Sequence, residues 1–308
     1  MKYLILGILL AGLYSCKPEK PQKPEVPVKA GYQPVSISTR SMEFNAPDSI
    51  SSGWHEFIYD NQSGDIHFFV LEKLPEGITL VDYKNDLISV FESALDLMDE
   101  GKVEEGFKEF EKIPEWFSQV VNIGGVGLIG PRSKASATFF LEPGRYAMEC
   151  YVRMPNGRPH ALMGMLDEII VTSDSSSLTP PETDLTVEVS SSGGITFQDT
   201  VAEGSYTIRV NYIDQARYEN MMGHDVNLVR IETGADPAAL AAWINAADPT
   251  AFRTPAPEGF EFIGGIQELP SGNHGYFEAV LEEGNYVLIS EVPDAINRNM
   301  IAPFTVIH

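Results

Sequence analysis

Cysteine is scarce in this 308-residue chain, which has only Cys16 and Cys150. Two isolated cysteines cannot supply the paired thiolates of a structural zinc site. Cys16 follows an apolar segment at the N-terminus, and without it Cys150 has no partner for an internal disulfide. Cys150 is therefore a buried inert thiol, a reactive thiol or a metal ligand.

Basic residues are also few: 21 Lys and Arg stand against 44 Asp and Glu, which gives a formal net charge of −23. Such an acidic surface repels nucleic acid and anionic lipid headgroups, so we expect no nucleic-acid partner. The sequence has no glycine-rich phosphate loop, HExxH motif, recognisable Ser-His-Asp arrangement or calcium loop. We therefore predict that the protein is not an enzyme.

The sequence has no apolar run long enough to cross a bilayer, which takes about 20 residues. The shorter run at 4–13 follows one lysine, an arrangement typical of a secretory signal peptide. It ends in Leu-Tyr-Ser-Cys at 13–16, which resembles the bacterial lipobox. The resemblance implies that residues 1–15 are removed and that Cys16 is lipidated. We expect a cell-envelope protein, held in the outer membrane by this lipid anchor.

Composition divides the rest of the chain. Prolines alternate with charged residues at 16–32, which predicts an extended tether that cannot pack a core. Hydrophobic residues make up 43% of the chain, so the part after the tether is globular and long enough for two domains. A stretch rich in Ser and Pro at 173–183 is typical of a linker. We place the two domains at 33–172 and 184–308.

The two predicted domains share a weak internal repeat. Each copy ends in a strand, a glycine turn, a second strand, a loop and a last strand. Alternation of apolar and polar residues around Tyr146 and Tyr286 supports paired strands. Gly125 and Gly265 precede these terminal strands at corresponding distances.

Each copy also carries a helical insertion. In the first copy, the insertion at 84–119 has apolar residues at helical spacing, which predicts one helix at 85–98 and a second at 102–117 that is interrupted at Pro114. In the second copy, Asp236 is followed by proline, a pair suited to begin a helix. The predicted fold class is therefore mainly β, with two tandem Greek-key β-sandwich domains that each contain a helical insertion.

Four residues of the first copy are of types that bind copper: His67, Cys150, His160 and Met165. A histidine before a mid-chain strand, followed by Cys, His and Met around the last loop, resembles the cupredoxin (blue copper) family. Asn61 precedes His67, as an asparagine often does in that family. The resemblance implies cupredoxin-like domains and one copper ion in the first of them.

In that resemblance the thiolate and the two imidazoles lie in one plane around copper, with Met165 as a weak axial ligand. These donors suit both oxidation states of copper, and a weakly bound thioether raises the reduction potential. Met163 is the alternative axial residue. Taken singly, each residue also has an ordinary structural role, since a buried cysteine often packs as a small apolar side chain.

The second copy does not repeat this set. It keeps His224 and Met300, but Ser290 stands where the first copy has Cys150. We therefore predict that the second domain is degenerate and binds no metal. The copper nitrite reductases also have two such domains, but the six histidines of this chain are not grouped to build their second, catalytic copper site.

Three functions follow as hypotheses. The resemblance implies a membrane-anchored electron carrier with one type 1 copper and a redox partner in the envelope. The alternative is a metal-free, cupredoxin-like module that binds or scaffolds another envelope protein. A surface adhesion or ligand-binding lipoprotein is the third, and the sequence offers no site for it.

Overall fold

The computed structural model describes residues 33–218 and 221–308. The predicted signal peptide, Cys16 and the tether at 16–32 lie outside the described residues, so their roles stay predictions. Within the described ranges, no helix is both long and apolar enough to span a membrane.

Strands dominate both halves of the described chain. In the N-terminal half they are β1 (Val35–Thr39), β2 (Phe44–Asn45), β3 (Ser49–Asn61), β4 (His67–Lys73), β5 (Val121–Ile129), β6 (Ser133–Leu141), β7 (Gly144–Glu149) and β8 (Leu166–Ser175). In the C-terminal half they are β9 (Leu185–Ser190), β10 (Gly194–Thr196), β11 (Thr200–Ala202), β12 (Gly204–Tyr212), β13 (Val226–Ile231), β14 (Phe260–Ile266), β15 (His274–Leu281), β16 (Gly284–Ile289) and β17 (Ile301–Ile307).

The strands form two sheets that each run through both halves. The first sheet has the order β2-β1-β3-β6-β15-β12-β9-β10. The second has the order β3-β8-β7-β4-β5-β14-β13-β16-β17-β11. Antiparallel pairs β6–β15 and β5–β14 join the halves. The prediction of a mainly β fold with helical insertions is confirmed.

Aromatic side chains fill the space between the sheets in the N-terminal half. Phe57 of β3 stacks on Phe139 of β6, with ring centroids 4.7 Å apart. Phe69 of β4, in the opposite sheet, contacts Phe57 at 5.9 Å. All three rings are fully buried, and burial of each stabilises the fold by about 1.5–3 kcal/mol.

The helical insertion begins earlier and is more broken than the sequence pattern predicts. It comprises α1 (Leu80–Asp82), a π-helical segment (Tyr83–Ile88), α2 (Ser89–Asp99), α3 (Val103–Glu109) and two 3₁₀ turns (Phe110–Lys112 and Glu115–Gln119). The predicted second helix at 102–117 leaves helical geometry just before Pro114, the position of the expected interruption, because this proline forces Ile113 into an extended conformation (ψ 127°). In the C-terminal half, Asp236 caps α4 (Pro237–Ile244) by accepting a bond of 2.9 Å from the Ala238 N–H, as predicted.

Strand β8 continues into the segment predicted as a linker. It ends at Ser175, which pairs with Ser52, and the Ser176 N–H then donates to the Ser52 carbonyl at 2.7 Å. Serine and aspartate side chains give this stretch a linker composition, but the hydrogen bonds of a strand use only its backbone. The division of the chain at 173–183 stays a prediction, and the two halves are in direct contact through their sheets.

Gly125 allows β4 and β5 to approach closely, and alanine at this position should destabilise the fold. Its φ is +151°, and an added Cβ would lie 2.0 Å from the Phe69 carbonyl oxygen. We expect Gly125→Ala to lower the free energy of unfolding in urea by at least about 2 kcal/mol, from backbone strain and overpacking. Gly64→Ala is the matched control, since nothing lies within 4 Å of its added Cβ. Equal losses in the two variants would contradict this account.

Candidate metal centre

Adjacent strands of the second sheet bring the predicted copper ligands together. His67 is the first residue of β4, and Cys150 directly follows β7, the strand that pairs with β4. His160 begins a 3₁₀ turn (His160–Met163), and Met165 precedes β8. These four residues are fully buried. Cys150 and His160 lie 83 and 93 positions after His67 in the chain, and the fold brings them to His67 at one end of the sandwich.

Three donor atoms converge within this group. The Cys150 Sγ atom lies 3.8 Å from Nδ1 of His67 and 3.7 Å from Nδ1 of His160. The two Nδ1 atoms are 3.1 Å apart. Donors placed about 2.0–2.3 Å from one ion in a trigonal plane are separated by roughly 3.5–3.9 Å, so the observed triangle needs only a small adjustment to hold an ion. The residues therefore fit one copper ion.

Backbone hydrogen bonds hold the loop that carries the ligands. The Cys150 N–H donates to the Met165 carbonyl at 3.2 Å, and the Met165 N–H donates to the His160 carbonyl at 3.0 Å. The His160 N–H donates to the Val152 carbonyl at 2.7 Å. The backbone N–H groups of Phe68 and Val152 act to lower the pKa of the Cys150 thiol, against the larger effect of burial. Such donors stabilise a thiolate and orient it toward a metal.

Burial sets the protonation state of the site. Burial, together with repulsion from His160, lowers the pKa of His67 to about 3, and burial lowers the pKa of His160 to about 4. Burial raises the pKa of the Cys150 thiol to about 12. At neutral pH both imidazoles are thus neutral and able to ligate, while the thiol keeps its proton until a cation replaces it.

Met165 and Met163 differ in their surroundings. Met165 is fully buried and its backbone is bonded to both Cys150 and His160, whereas Met163 is 46% exposed. The exposure of Met163 is unsuited to a ligand that must exclude water. The axial role of Met165 stays a prediction.

The C-terminal half repeats the backbone of the site without the thiol and the second histidine. The Ser290 N–H donates to the Met300 carbonyl at 3.0 Å, and the Met300 N–H donates to the Ala295 carbonyl at 2.7 Å. Ala295 thus stands where the N-terminal half has a ligand histidine. The Ser290 hydroxyl donates to Asp225 at 2.6 Å, and Nε2 of His224 lies 2.8 Å from the Tyr218 hydroxyl. Among the described residues, only His67, Cys150 and His160 form a group of three metal-binding side chains.

Arg153 fixes the loop between Cys150 and His160, called the ligand loop, to the C-terminal half. The sequence does not reveal this contact, which we call the Arg153 clamp. The Arg153 guanidinium donates to the carbonyls of Asp248 (2.6 Å), Ala251 (2.8 Å) and Ala246 (3.1 Å) in the C-terminal half. Its backbone N–H donates to the Phe252 carbonyl at 2.8 Å. No sequence signal marks this residue, because its partners are backbone atoms 93 to 98 positions away.

Arg158 ties the same loop to the helical insertion. Its guanidinium pairs with Asp96, and it lies 3.2 Å from a carboxylate oxygen of Asp99, both on α2. These carboxylates are 60% or more exposed, so water screens the pairs. The ligand loop is therefore held firmly by the C-terminal half and more weakly by the insertion.

Buried carboxyl groups lie beside the ligand loop around a cavity of about 150 Å³. The Tyr83 hydroxyl donates to Glu72 at 2.7 Å and lies 3.3 Å from Glu149, the residue before Cys150. Burial raises the pKa of Glu149 to about 7, and burial with repulsion from Glu149 raises the pKa of Glu72 well above its ordinary value. Burial therefore favours the neutral form of Glu72.

Comparison with known proteins gives only distant structural likeness. No protein-family model matches the chain, and no curated protein matches it. A dithionite-reduced auracyanin from Roseiflexus castenholzii is 16% identical, with 46% of this chain and 99% of that chain covered and a TM-score of 0.28. Auracyanin A from Chloroflexus aurantiacus, a "blue" copper protein, is also 16% identical, with 46% of this chain and 100% of that chain covered and a TM-score of 0.28. A copper nitrite reductase from Nitrosomonas europaea is 11% identical, with 90% of this chain and 94% of that chain covered and a TM-score of 0.24.

Removal of the Arg153 clamp should cost more stability than removal of the Arg158 ion pairs. Bonds from a charged donor to buried carbonyls contribute about 1.5–3 kcal/mol each, so we expect Arg153→Ala to lower the free energy of unfolding by about 3 kcal/mol or more. Arg158→Ala, in the same loop, should cost about 1 kcal/mol or less. Urea unfolding of the two metal-free variants measures both values, and a larger loss in Arg158→Ala would refute the clamp.

Proposed function

We propose that this chain is an exported, lipid-anchored electron carrier with one type 1 copper in its N-terminal half. His67, Cys150 and His160 would hold the copper, with Met165 as the fourth predicted ligand. The observation that carries the proposal is the fully buried triangle of one thiol sulfur and two imidazole nitrogens. When bound there, copper supplies a site that exchanges one electron.

The chain contributes rigidity and dryness to this chemistry. Neutral, buried imidazoles and a thiol already held at 3.7–3.8 Å from them leave little to rearrange between the two oxidation states. Backbone N–H donors to the sulfur favour its thiolate form and tune the potential. The clamp at Arg153 keeps the ligand loop closed against water. These features suit fast electron transfer more than catalysis, which needs an open coordination position.

The N-terminal segment completes the proposed role. Lipidation of Cys16 would anchor the chain in the outer membrane, and the proline-rich residues 17–32 would hold the folded part away from the bilayer. The acidic surface gives no electrostatic attraction to anionic lipid, so the acyl chains would carry the attachment alone. The expected partner is a redox protein of the cell envelope.

Copper loading should produce the optical signature of a copper–thiolate bond. Addition of Cu(II) to the full chain should give an intense visible charge-transfer band, because the sulfur and two imidazoles surround the ion. Cys150→Ser should abolish the band. Ser290→Ala, at the matching position of the C-terminal half, should leave it unchanged.

The same titration separates the proposed function from its alternative. Weak copper binding without an intense band would contradict the electron-carrier proposal. It would favour the metal-free binding or scaffold module.

Copper uptake should release about one proton near neutral pH. Both imidazoles are already neutral above about pH 4, and the thiol holds its proton up to about pH 12. The apparent Cu(II) affinity should therefore rise about tenfold per pH unit from pH 6 to 8. Competition against a chelator of known affinity measures this slope.

Side chains with ordinary pKa values would give a different curve. Protonation of the two histidines near pH 6.5 would steepen the slope well above tenfold per unit at the acid end. That result would contradict the burial effect. Cys150→Ser, which has no thiol proton to release, should reduce the slope to about zero over the same range.

A further inference from the structure

Both imidazoles of the proposed copper site are sealed from solvent. His67 and His160 are fully buried, and the Nε2 atom of each has no hydrogen-bond partner among the described residues. Neither ring therefore presents an edge that a partner protein could touch. An electron that reaches or leaves this site has to cross other side chains.

A column of aromatic rings leads from the ligands to the surface of the C-terminal half. Tyr151 is bonded covalently to Cys150, and its ring stacks on Phe252 with centroids 5.8 Å apart and an angle of 26°. Phe252 stacks in turn on Trp243 of α4, at 5.2 Å and 25°. Phe68, which follows His67, packs edge-on against Tyr151 at 4.5 Å. The column thus joins two ligand residues to one exit.

The backbone around the column holds it in place. Phe252 is fully buried, and its N–H donates to the Trp243 carbonyl at 2.7 Å. The indole N–H of Trp243 donates to the Arg253 carbonyl at 2.7 Å. The Phe252 carbonyl accepts from the Arg153 N–H, so the clamp on the ligand loop also fixes the rings against each other.

The outer end of the column is partly accessible and lies on a helix without charged residues. Trp243 is partly exposed, and the exposed residues of α4 are small and apolar, namely Pro237, Ala238, Ala239 and Ala242. None of them is charged, although the whole chain has a net charge of −23. An acceptor or donor can therefore come close to the indole ring without meeting a carboxylate of α4.

We propose that electrons enter and leave the copper site through Tyr151, Phe252 and Trp243. The redox partner would then exchange its electron at the surface of the C-terminal half. This proposal rests on the proposed electron-carrier function. In the inward direction an external one-electron donor is oxidised, and the copper is reduced from Cu(II) to Cu(I). The electron tunnels through the column, and no ring is oxidised or loses a proton on the way.

Photoinduced electron transfer tests this route. A ruthenium photosensitiser is attached to the copper-loaded full chain through Ala239→Cys on α4 or, in a second sample, through Met163→Cys beside His160. Both samples carry Cys16→Ser, so that the introduced cysteine is labelled. After a flash, the loss of the visible band reports arrival of the electron. We expect faster arrival from the label at position 239, even though position 163 is only three residues from His160 and two from Met165.

Two substitutions break the column. Trp243→Leu and Phe252→Leu should each slow transfer from position 239 severalfold and leave transfer from position 163 unchanged. Phe262→Leu is the matched control, because its ring also contacts Trp243 at 5.2 Å but lies outside the column. It should alter neither rate. Trp243 is only partly buried, so its variant keeps the test open if Phe252→Leu does not fold.

The possible failures are distinguishable. Absence of the visible band from the loaded protein before any flash would refute the proposed copper function itself. A normal band with faster transfer from position 163 would overturn the route alone. A normal band with rates unaffected by Trp243→Leu would also overturn it.

Discussion

Edge-to-edge pairing of the two halves is the constraint on which the rest of the structure depends. Strands β5 and β14, and strands β6 and β15, make both sheets continuous across the chain. At this seam an added Cβ on Gly127 would lie 2.9 Å from the Asn227 Oδ1 atom, which accepts a bond of 2.8 Å from the Leu128 N–H. Because two otherwise open sheet edges cover each other, neither can pair with another chain.

This pairing also decides what lies against the ligand loop. With the sheets joined, the segment after α4 reaches the loop between Cys150 and His160, and it accepts the hydrogen bonds of Arg153. The C-terminal half has no thiol and no second histidine at the matching positions. Through these hydrogen bonds it closes the site of the N-terminal half. The backbone of this half nonetheless makes the corresponding hydrogen bonds at Ser290 and Met300.

Burial shifts the pKa values around the site in opposite directions, down for the imidazoles and up for the thiol and the carboxyl groups, and so favours the uncharged form of each. It keeps the imidazoles of His67 and His160 neutral and holds the proton on Cys150. It also favours the neutral form of Glu72 and raises the pKa of Glu149. In a region of low dielectric each group takes its uncharged form unless an opposite charge is present. A metal cation would supply that charge at Cys150, and the three donor atoms are already placed for it.

The sequence by itself determined the strand pattern, the Asp236 cap and the set of His67, Cys150 and His160, because these depend on local periodicity and on residue type. It also predicted Cys16 as a lipid anchor, which lies outside the described residues. It also indicated the interruption of the helix at 102–117, because Pro114 forces Ile113 out of helical geometry. Only the tertiary structure decided that the sheets are continuous, that Arg153 clamps the ligand loop, and that Phe252 and Trp243 stack behind Cys150. Most of these features join residues far apart in the chain, as Arg153 and Ala246 are at 93 positions, and several use backbone atoms, which leave no trace in the choice of side chain.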